Sequence, residues 1–460
     1  MVAQKNYDGF LTFTSNFVIQ NDFGGVNDPS VFRRFDSSSN NLTLNPRITE
    51  AATRQEKYEF SYLHYFKLNG RRESLGDAQR RQFQASHQVA YKSQLYFFND
   101  RFASRDTNIA APDSAFYRTL VRDPRGIRFF LTERMIENQF SLSTTRQRRL
   151  SADKPDQTTQ QNDWFEVGLT HQFSAVNQEL GNRNFNNLIL RGRWNFTPND
   201  NVKVETQGRF NTLGYNVGDY RLAGELFFNW QKVGSLTVKA VNQLYEPTLL
   251  QNQFVLTRTT IWDNNLSKTL ETNLSGTLAV PKLGFEATAA YHLLNNYVYF
   301  DSTYTPKQIA APLSIVQLIL NQNFKVGVFH LENVATLQNI SENVLRLPKI
   351  YTKHSLFAEG LIFKRTMLAR AGADARFNTA WAAPEFQPAT GQFFVPNGGE
   401  IPTFLSLDVF LSFKVRSFRF FAKMENMLGE WGFPDAYFQT FRYPIPERVF
   451  RFGIGWRLLN

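Results

Sequence analysis

The chain has 460 residues, no cysteine and a formal net charge of +11, and 15% of its residues are aromatic although its mean hydropathy is negative. The absence of cysteine excludes a disulfide framework. Basic residues spread over the whole chain argue against a nucleic-acid-binding tract. No apolar run reaches the ~18 residues of a membrane-spanning helix, so a membrane protein of this composition would have to be a closed β-barrel, which pairs every backbone polar group within lipid.

Apolar and polar residues alternate along much of the chain. Successive side chains of a β-strand point to opposite faces of a sheet, so the alternation predicts strands with one apolar and one polar face. The clearest apolar rows before residue 240 contain Tyr58, Phe60, Tyr62, Phe66 and Leu68; Leu188, Leu190, Trp194 and Phe196; Val202, Val204 and Phe210; and Tyr220, Leu222, Leu226, Phe228 and Trp230.

The C-terminal segment repeats this pattern in three consecutive predicted strands. Their apolar rows contain Leu405, Leu407, Val409, Leu411 and Phe413; Phe418, Phe420, Ala422 and Met424; and Phe450, Phe452, Ile454, Trp456 and Leu458. A soluble sheet would show the pattern in one or two strands. Its repetition from end to end predicts an all-β fold, a transmembrane antiparallel up-and-down β-barrel.

Connections of alternating length predict the orientation of the barrel and the number of strands. Such barrels have short periplasmic turns and long extracellular loops. We expect the long loops at 21–55, 99–127, 379–403 and 428–446. If 262–278 is a single strand, the count is about eighteen strands, with sixteen as the next choice. The whole chain, 1–460, then forms one barrel domain.

The polar rows contain more basic than acidic residues. If the apolar rows face lipid, the polar rows line the pore, and the expected pore-lining residues are Arg191, Arg193, Lys203, Arg209, Arg370, Arg376, Asp408, Lys414, Arg419, Lys423, Arg451 and Arg457. Positive charge around a pore favours anions, so we hypothesise a weak anion preference. The alternative is that these basic residues pair with acids of the same rows, such as Glu205, Asp374 and Glu425, and stabilise the wall.

The proline-rich loop 379–403 is the best candidate for a segment that folds inward and narrows the pore. Its prolines restrict the backbone, which suits an ordered loop. An exposed surface loop is the alternative, since most connections lie on the surface.

No group of residues predicts catalysis or a bound cofactor. The six histidines are scattered, and the chain has no Gly-x-Ser-x-Gly motif for a nucleophile. Without cysteine or closely spaced histidines there is no predicted metal site, and no glycine-rich phosphate loop is present. We therefore expect a protein that is not an enzyme, with no catalytic residue, no metal ion and no cofactor.

The last hundred residues carry more specific motifs than alternation alone. These are Leu347-Pro-Lys, Ala383-Pro-Glu-Phe-Gln-Pro-Ala-Thr-Gly-Gln-Phe, Tyr443-Pro and Arg448-Val-Phe-Arg-Phe-Gly-Ile-Gly-Trp. With them the final quarter resembles the outer-membrane porin family of Bacteroidota, and its end is also similar to that of TonB-dependent receptor barrels. The resemblance implies a Gram-negative outer-membrane barrel with a porin role. The chain ends in Asn460 instead of the usual aromatic residue, and we expect Trp456 to serve in its place.

Taken together, these patterns predict a porin-like channel for passive diffusion of small hydrophilic solutes. Two alternatives stay open: the barrel of a TonB-dependent-type transporter that lacks its plug, and a non-transport envelope or adhesion subunit. The expected partners are outer-membrane lipid and lipopolysaccharide, the solutes, the barrel-assembly machinery at the C-terminal strand and a homo-oligomer; nucleic acid is not among them. No signal peptide is visible at the N-terminus, so we expect a mature, truncated or re-started form.

Overall fold

The fold is dominated by one large antiparallel sheet. The computed structural model describes residues 2–4, 6–26, 46–69, 82–101, 116–117, 120, 126–149, 160–199, 201–230, 232–428, 438–445 and 448–456. Nineteen strands form the sheet: a three-residue strand β1 and eighteen longer ones. Each of them pairs with the next strand of the sheet in chain order. The predicted all-β up-and-down barrel with eighteen strands is therefore confirmed.

The strands of the sheet are β1 Val2–Gln4, β2 Tyr7–Asp22, β3 Ala51–Lys67, β4 Gln82–Asp100, β5 Ile127–Arg149, β6 Gln160–Gln178, β7 Gly181–Asn199, β8 Val202–Gly214, β9 Tyr220–Trp230, β10 Gly234–Tyr245, β13 Thr269–Val280, β14 Phe285–Asn295, β17 Leu313–Val326, β18 Phe329–Ile340, β19 Ile350–Ile362, β20 Met367–Asn378, β25 Phe404–Val415, β26 Phe418–Glu425 and β29 Val449–Trp456. Strands β2–β7 have 16 to 23 residues, whereas the later long strands have 8 to 14, so one side of the wall is taller.

Short elements lie in the long connections between these strands. They are α1 Leu249–Asn252, β11 Gln253–Leu256, β12 Thr259–Asp263, β15 Val298–Phe300, β16 Pro306–Gln308, β21 Trp381–Ala382, β22 Glu385–Gln387, β23 Gln392–Phe394, β24 Glu400–Ile401, β27 Phe438–Thr440 and β28 Tyr443–Pro444, and a 3-10 helix over Pro281–Leu283 forms one of the short turns. None of the helices in the described part of the chain is long and apolar enough to span a membrane.

The interpretation of 262–278 as a single strand was wrong. Trp262 belongs to β12, which pairs with β11 in a hairpin, and the wall strand β13 begins only at Thr269. The connection between β10 and β13 is therefore a long loop with its own elements. The strand count was unaffected, because β11 and β12 do not join the large sheet.

The two faces of the sheet differ as the alternation predicts. Large apolar side chains of the predicted rows are exposed on one face, which we call the apolar face; they include Leu190, Trp194, Phe196, Leu222, Phe450, Phe452, Ile454 and Trp456. In water, exposed apolar area costs about 25 cal/mol per Å². In a bilayer the same belt is the favourable surface of a barrel. The opposite face carries the charged and amide side chains and is called the polar face below.

Loops from the two ends of the sheet meet. The backbone N–H of Val26, just beyond β2, donates to the carbonyl of Arg442, ahead of β29, at 2.8 Å. Gly25 lies at this junction with φ of +77°, and a Cβ there would come within 2.6 Å of the same carbonyl. A glycine is required because a side chain would be both strained and obstructed.

Candidate functional site: the polar face and its loop cap

Eleven of the twelve residues predicted to line the pore lie in described strands, and all eleven follow the alternation of the polar face. Arg191 and Arg193 are in β7, and Lys203 and Arg209 are in β8. The others lie in β20, β25, β26 and β29, at Arg370, Arg376, Asp408, Lys414, Arg419, Lys423 and Arg451. Arg457 lies outside the described residues. The twelve residues thus mark two separate regions of the wall.

Basic residues of the C-terminal strands are paired with acids. We define the paired sector as Arg376, Asp408, Lys423, Glu425 and Arg451. Asp408 is only 3% exposed and pairs with Arg376, while Lys423 Nζ lies 2.8 Å from Asp408 Oδ2. Glu425 accepts from Arg451 Nε at 2.8 Å and lies 3.7 Å from Lys423 Nζ. The alternative of a charge-paired, stabilising wall describes this sector well.

Arg370 is also held by its neighbours. Its guanidinium lies 3.4 Å from the centroid of the Phe357 ring and 5.7 Å from that of Phe410. Its Nη2 atom is 3.7 Å from Glu332 Oε2. Cation–π contact and an ion pair together fix this side chain against the wall.

In contrast, three arginines of strands β7 to β9 face one another directly. Arg191 is the register partner of Arg209, and Arg209 is the register partner of Arg221. We call these three residues the arginine row. The sequence analysis did not single out Arg221, although it lies between Tyr220 and Leu222 of a predicted apolar row and so belongs to the polar face.

The arginine row has little compensating charge. Arg191 Nη2 is 3.7 Å from Glu166 Oε1, and Arg191 also donates to the side-chain oxygen of Gln139. Arg221 donates to the neutral amide of Gln243 at 2.7 Å. Arg209 is exposed and forms no ion pair within the described part of the chain. Like charges directly opposite each other in a sheet are unfavourable. The arginine row therefore carries an excess of positive charge that its neighbours do not compensate.

Two cavities open onto the same region of the polar face. The smaller has a volume of about 350 Å³, and its lining includes one acid and four arginines together with three glutamines: Glu137, Arg191, Arg193, Arg209, Arg221, Gln139, Gln172 and Gln207. The larger, about 710 Å³, shares Arg191 and Arg193 and adds polar side chains such as Ser86, Ser141 and Trp164. Arg193 lies over the Trp164 ring, 4.6 Å from its centroid. Charged, amide and hydroxyl groups therefore surround both spaces.

The remaining predicted basic residues lie near the short-turn end of the wall. Lys203 pairs with Glu205 in the same strand. Lys414 and Arg419 are register partners across the turn between β25 and β26. Among the described residues neither forms an ion pair, and both are exposed.

An apolar core covers the long-loop end of the polar face. We call it the loop cap; its buried members are Ile48, Ala51, Phe98, Phe116, Tyr117, Leu120, Ile127, Phe129, Phe254, Leu256, Trp262, Phe300, Tyr304, Ala389 and Phe394. Phe254 packs between Trp262 and Phe129, with ring centroids 4.5 and 4.8 Å away. Loop residues thus pack onto wall residues such as Phe129 of β5. This core has no counterpart in the sequence patterns, because it joins segments that are far apart in the chain.

The loop 379–403 is part of this cap, as the inward-folding interpretation predicted. Tyr96 of β4 donates from its hydroxyl to the carbonyl of Pro388 at 2.9 Å. Strand β23 of this loop joins β15, with Phe300 opposite Phe394. Arg346 donates to the carbonyls of Pro396 and Gly398 at 3.0 and 3.1 Å, and burial lowers the pKa of its guanidinium.

A buried ion pair joins the loop cap to the junction of the two sheet ends. Arg47 pairs with Glu385, and Arg442 Nε lies 3.9 Å from Glu385. Burial, followed by the nearby carboxylates of Glu385 and Asp22, raises the pKa of Tyr443 well above its usual value. These contacts hold loops from both ends of the chain together at the long-loop end of the barrel.

Two of the histidines lie next to each other on neighbouring strands. His64 Nε2 and His87 Nδ1 are 3.0 Å apart on the apolar face, and His87 stacks on Phe140 at 4.1 Å. No group of three or more potential metal ligands is present in the described part of the chain.

Comparisons with known proteins agree with this architecture. A protein family described as "Putative porin" matches residues 3–460, nearly the whole chain. No curated protein sequence matches the chain.

Similar folds occur among solved structures of receptors and transporters. A mutant of the ferric enterobactin receptor of Pseudomonas aeruginosa is 9% identical, with a TM-score of 0.51 over 99% of this chain and 77% of that chain. The ferric-catecholate import receptor Fiu of E. coli is 10% identical, with a TM-score of 0.56 over 98% and 72%. The copper transporter OprC is 10% identical, with a TM-score of 0.60 over 97% and 75%. At these identities the likeness concerns the fold alone.

Proposed function

We propose that this chain, which belongs to the porin family matched above, is a channel for the passive diffusion of small hydrophilic solutes, with a weak preference for anions. Family membership and the exposed apolar belt place the barrel in a bacterial outer membrane. The observation that carries the proposal is the polar face, where charged and amide side chains surround cavities of about 350 and 710 Å³. Such a surface suits hydrated solutes, because it replaces part of their hydration.

The eleven described residues predicted from the sequence are proposed to line this path, together with Arg221. Those of the paired sector contribute a polar wall of low net charge, because the three cations of the sector share the two carboxylates of Asp408 and Glu425. The arginine row contributes the positive excess that favours anions. We propose no catalytic role, no metal and no cofactor for any of them.

The loop cap is proposed to limit the size of solutes. Its core packs onto inward side chains such as Phe98 and Phe129 at the long-loop end. A solute must then pass beside the cap, which suits small hydrophilic molecules and excludes larger ones.

Conductance of the purified protein in a planar bilayer, combined with swelling of liposomes in sugars of increasing size, tests the proposal. We expect open-channel conductance and swelling that falls off with sugar size. A variant in which 385–394 is replaced by a short Gly-Ser linker should admit larger sugars, since it removes one segment of the loop cap. A folded protein that gives neither conductance nor swelling would contradict passive diffusion.

A transporter barrel of the TonB-dependent type, lacking its plug, is the second candidate. The fold likeness to receptor barrels and the loop cap favour it, since loops packed over the long-loop end suit a barrel that opens only when a partner acts on it. The same bilayer experiment separates the two, because such a barrel would remain closed until a partner acts on it. Stoichiometric co-purification of a partner with a non-conducting barrel would instead favour an envelope subunit.

A further inference from the structure

We propose that the arginine row, with Arg193, is a binding site for phosphate and for phosphate monoesters of small hydrophilic solutes. This inference rests on the proposed function, since it names a class of solute that the channel would select. The site comprises Arg191, Arg209 and Arg221 on three adjacent strands, with Arg193 two residues along β7.

The first argument is the balance of charge. Acids that lie on neighbouring positions are already engaged: Glu205 pairs with Lys203, and Glu225 Oε2 is 3.1 Å from Lys239 Nζ. Glu137 accepts from Gln172 at 2.7 Å and lies 3.4 Å from Lys92. Among the described residues only Glu166 forms an ion pair with the row, at 3.7 Å from Arg191, although Glu137 also lines the cavity. A bound dianion would supply the missing negative charge.

The second argument is the geometry of the donors. Adjacent strands are about 4.8 Å apart, so register partners on three adjacent strands lie within roughly 10 Å of one another across the sheet. A guanidinium presents paired N–H donors that match two oxygens of a phosphate, and arginine is favoured where such oxyanions are recognised. The cavity of about 350 Å³ over the row is lined by four arginines, several neutral amides and one acid, Glu137, which pairs with Lys92. A tetrahedral oxyanion therefore meets several guanidinium groups at once.

The third argument concerns the organic part of the ligand. Arg193 is oriented by its contact with the Trp164 ring, 4.6 Å from the centroid, which reduces the entropy lost on binding. The adjoining cavity of about 710 Å³ offers hydroxyl and amide groups, among them Ser86 and Ser141, whose hydroxyl oxygens are 2.6 Å apart. These groups suit a hydroxyl-rich substituent on the phosphate.

Calorimetric titration of the folded protein in detergent micelles with inorganic phosphate, and separately with glucose 6-phosphate, tests the proposal. We expect saturable binding of both, and a Kd at least about tenfold weaker for the double variant Arg209→Gln, Arg221→Gln, because the variant removes two of the guanidinium groups that donate charge-assisted hydrogen bonds to the anion. The single variant Arg209→Gln removes an exposed side chain that forms no ion pair with any described residue, so it tests the site even if the double variant fails to fold. It should weaken binding several-fold.

Arg419→Gln is the matched control, since Arg419 is an exposed arginine of the same face in a distant strand. It should leave Kd within about twofold of the unsubstituted protein. Equal weakening in Arg419→Gln and Arg209→Gln would overturn the site, because it would mean that general charge attracts the anion. Absence of saturable phosphate binding would overturn it as well. Binding does not depend on conduction, so binding without conductance refutes only the channel, and conductance without binding refutes only this site.

Discussion

The arginine row and the paired sector occupy the same face of one sheet, yet only the paired sector has acids that compensate its positive charges. In the paired sector, the buried carboxylate of Asp408 forms ion pairs with both Arg376 and Lys423, and Glu425 forms one with Arg451. In the arginine row, three arginines face one another with a single acid at 3.7 Å. The same residue type in the same alternating position therefore stabilises the wall in one place and holds an excess of charge in the other.

What separates the two regions is the register between strands. Asp408 can reach two cations because its strand lies between theirs in the sheet. Arg209 instead has an arginine on each side. Neighbours across the ladder, more than position in the sequence, decide whether a charge on this face is compensated.

The largest expected effect is on stability in the paired sector. Asp408→Asn removes the buried acid shared by Arg376 and Lys423, so Arg376 loses its partner and Lys423 keeps only Glu425, at 3.7 Å. Breaking a buried ion pair from one side is costly, and we expect a loss of about 3 kcal/mol in the free energy of unfolding. Denaturant unfolding of the protein reconstituted in lipid vesicles measures it.

Glu425→Gln is the matched control for this prediction, because Glu425 is the more exposed acid of the same sector. Its loss should cost less than about 1 kcal/mol, as for exposed ion pairs. Equal losses in the two variants would mean that burial of Asp408 does not set the strength of the paired sector.

A smaller effect is expected when an acid is added to the arginine row. Gln207 lies opposite Arg193 and two residues from Arg209. Gln207→Glu would give the row a carboxylate of its own, and should roughly halve the anion-to-cation permeability ratio measured by reversal potential. Gln55→Glu adds the same charge to an exposed position on the polar face of β3, and a drop as large as that of Gln207→Glu would show that location is irrelevant.

Removing a charge from the arginine row should affect stability in the opposite direction to Asp408→Asn. Arg209→Gln relieves repulsion from Arg191 and Arg221, so the free energy of unfolding should stay constant or rise by up to about 1 kcal/mol. The same vesicle-based unfolding assay applies. A loss of 2 kcal/mol or more would identify Arg209 as a structural residue and contradict the description of the row as uncompensated.

The smallest expected effect is that of salt. The Debye length falls from about 10 Å at 0.1 M to about 3 Å at 1 M, so the anion preference should weaken as the mean salt concentration rises. Stability should change little, because the ion pairs of the paired sector are partly buried. Reversal potentials at a fixed concentration ratio measure the effect, and a preference that grows with salt would contradict an electrostatic origin.

Much of the wall could be predicted from sequence, because alternation is a local property. The apolar rows of β7, β9 and β29 and the eleven described basic and acidic positions all follow from period-two patterning. Arg221 was detectable by the same rule, as it alternates with Tyr220 and Leu222. The misassignment of Trp262 has another origin: 262–278 was interpreted as one strand so that long and short connections would alternate, and Trp262 instead belongs to the loop hairpin β11–β12.

Contacts between strands and loops could not be predicted. The pairing of Arg191 with Arg209 depends on the turn after β7 and on irregularities in the β7–β8 register, which alternation does not reveal. The loop cap depends on contacts such as that of Tyr96 with Pro388, nearly 300 residues away. The prolines of 379–403 correctly indicated an ordered loop, but carried no information about its partners.

The reversal potential of single channels of the unsubstituted protein in a KCl gradient is the most direct measurement. An uncompensated arginine row predicts a potential whose sign shows preference for chloride, and this preference should be lost in Arg209→Gln, Arg221→Gln. A potential showing preference for potassium in the unsubstituted protein would contradict the account.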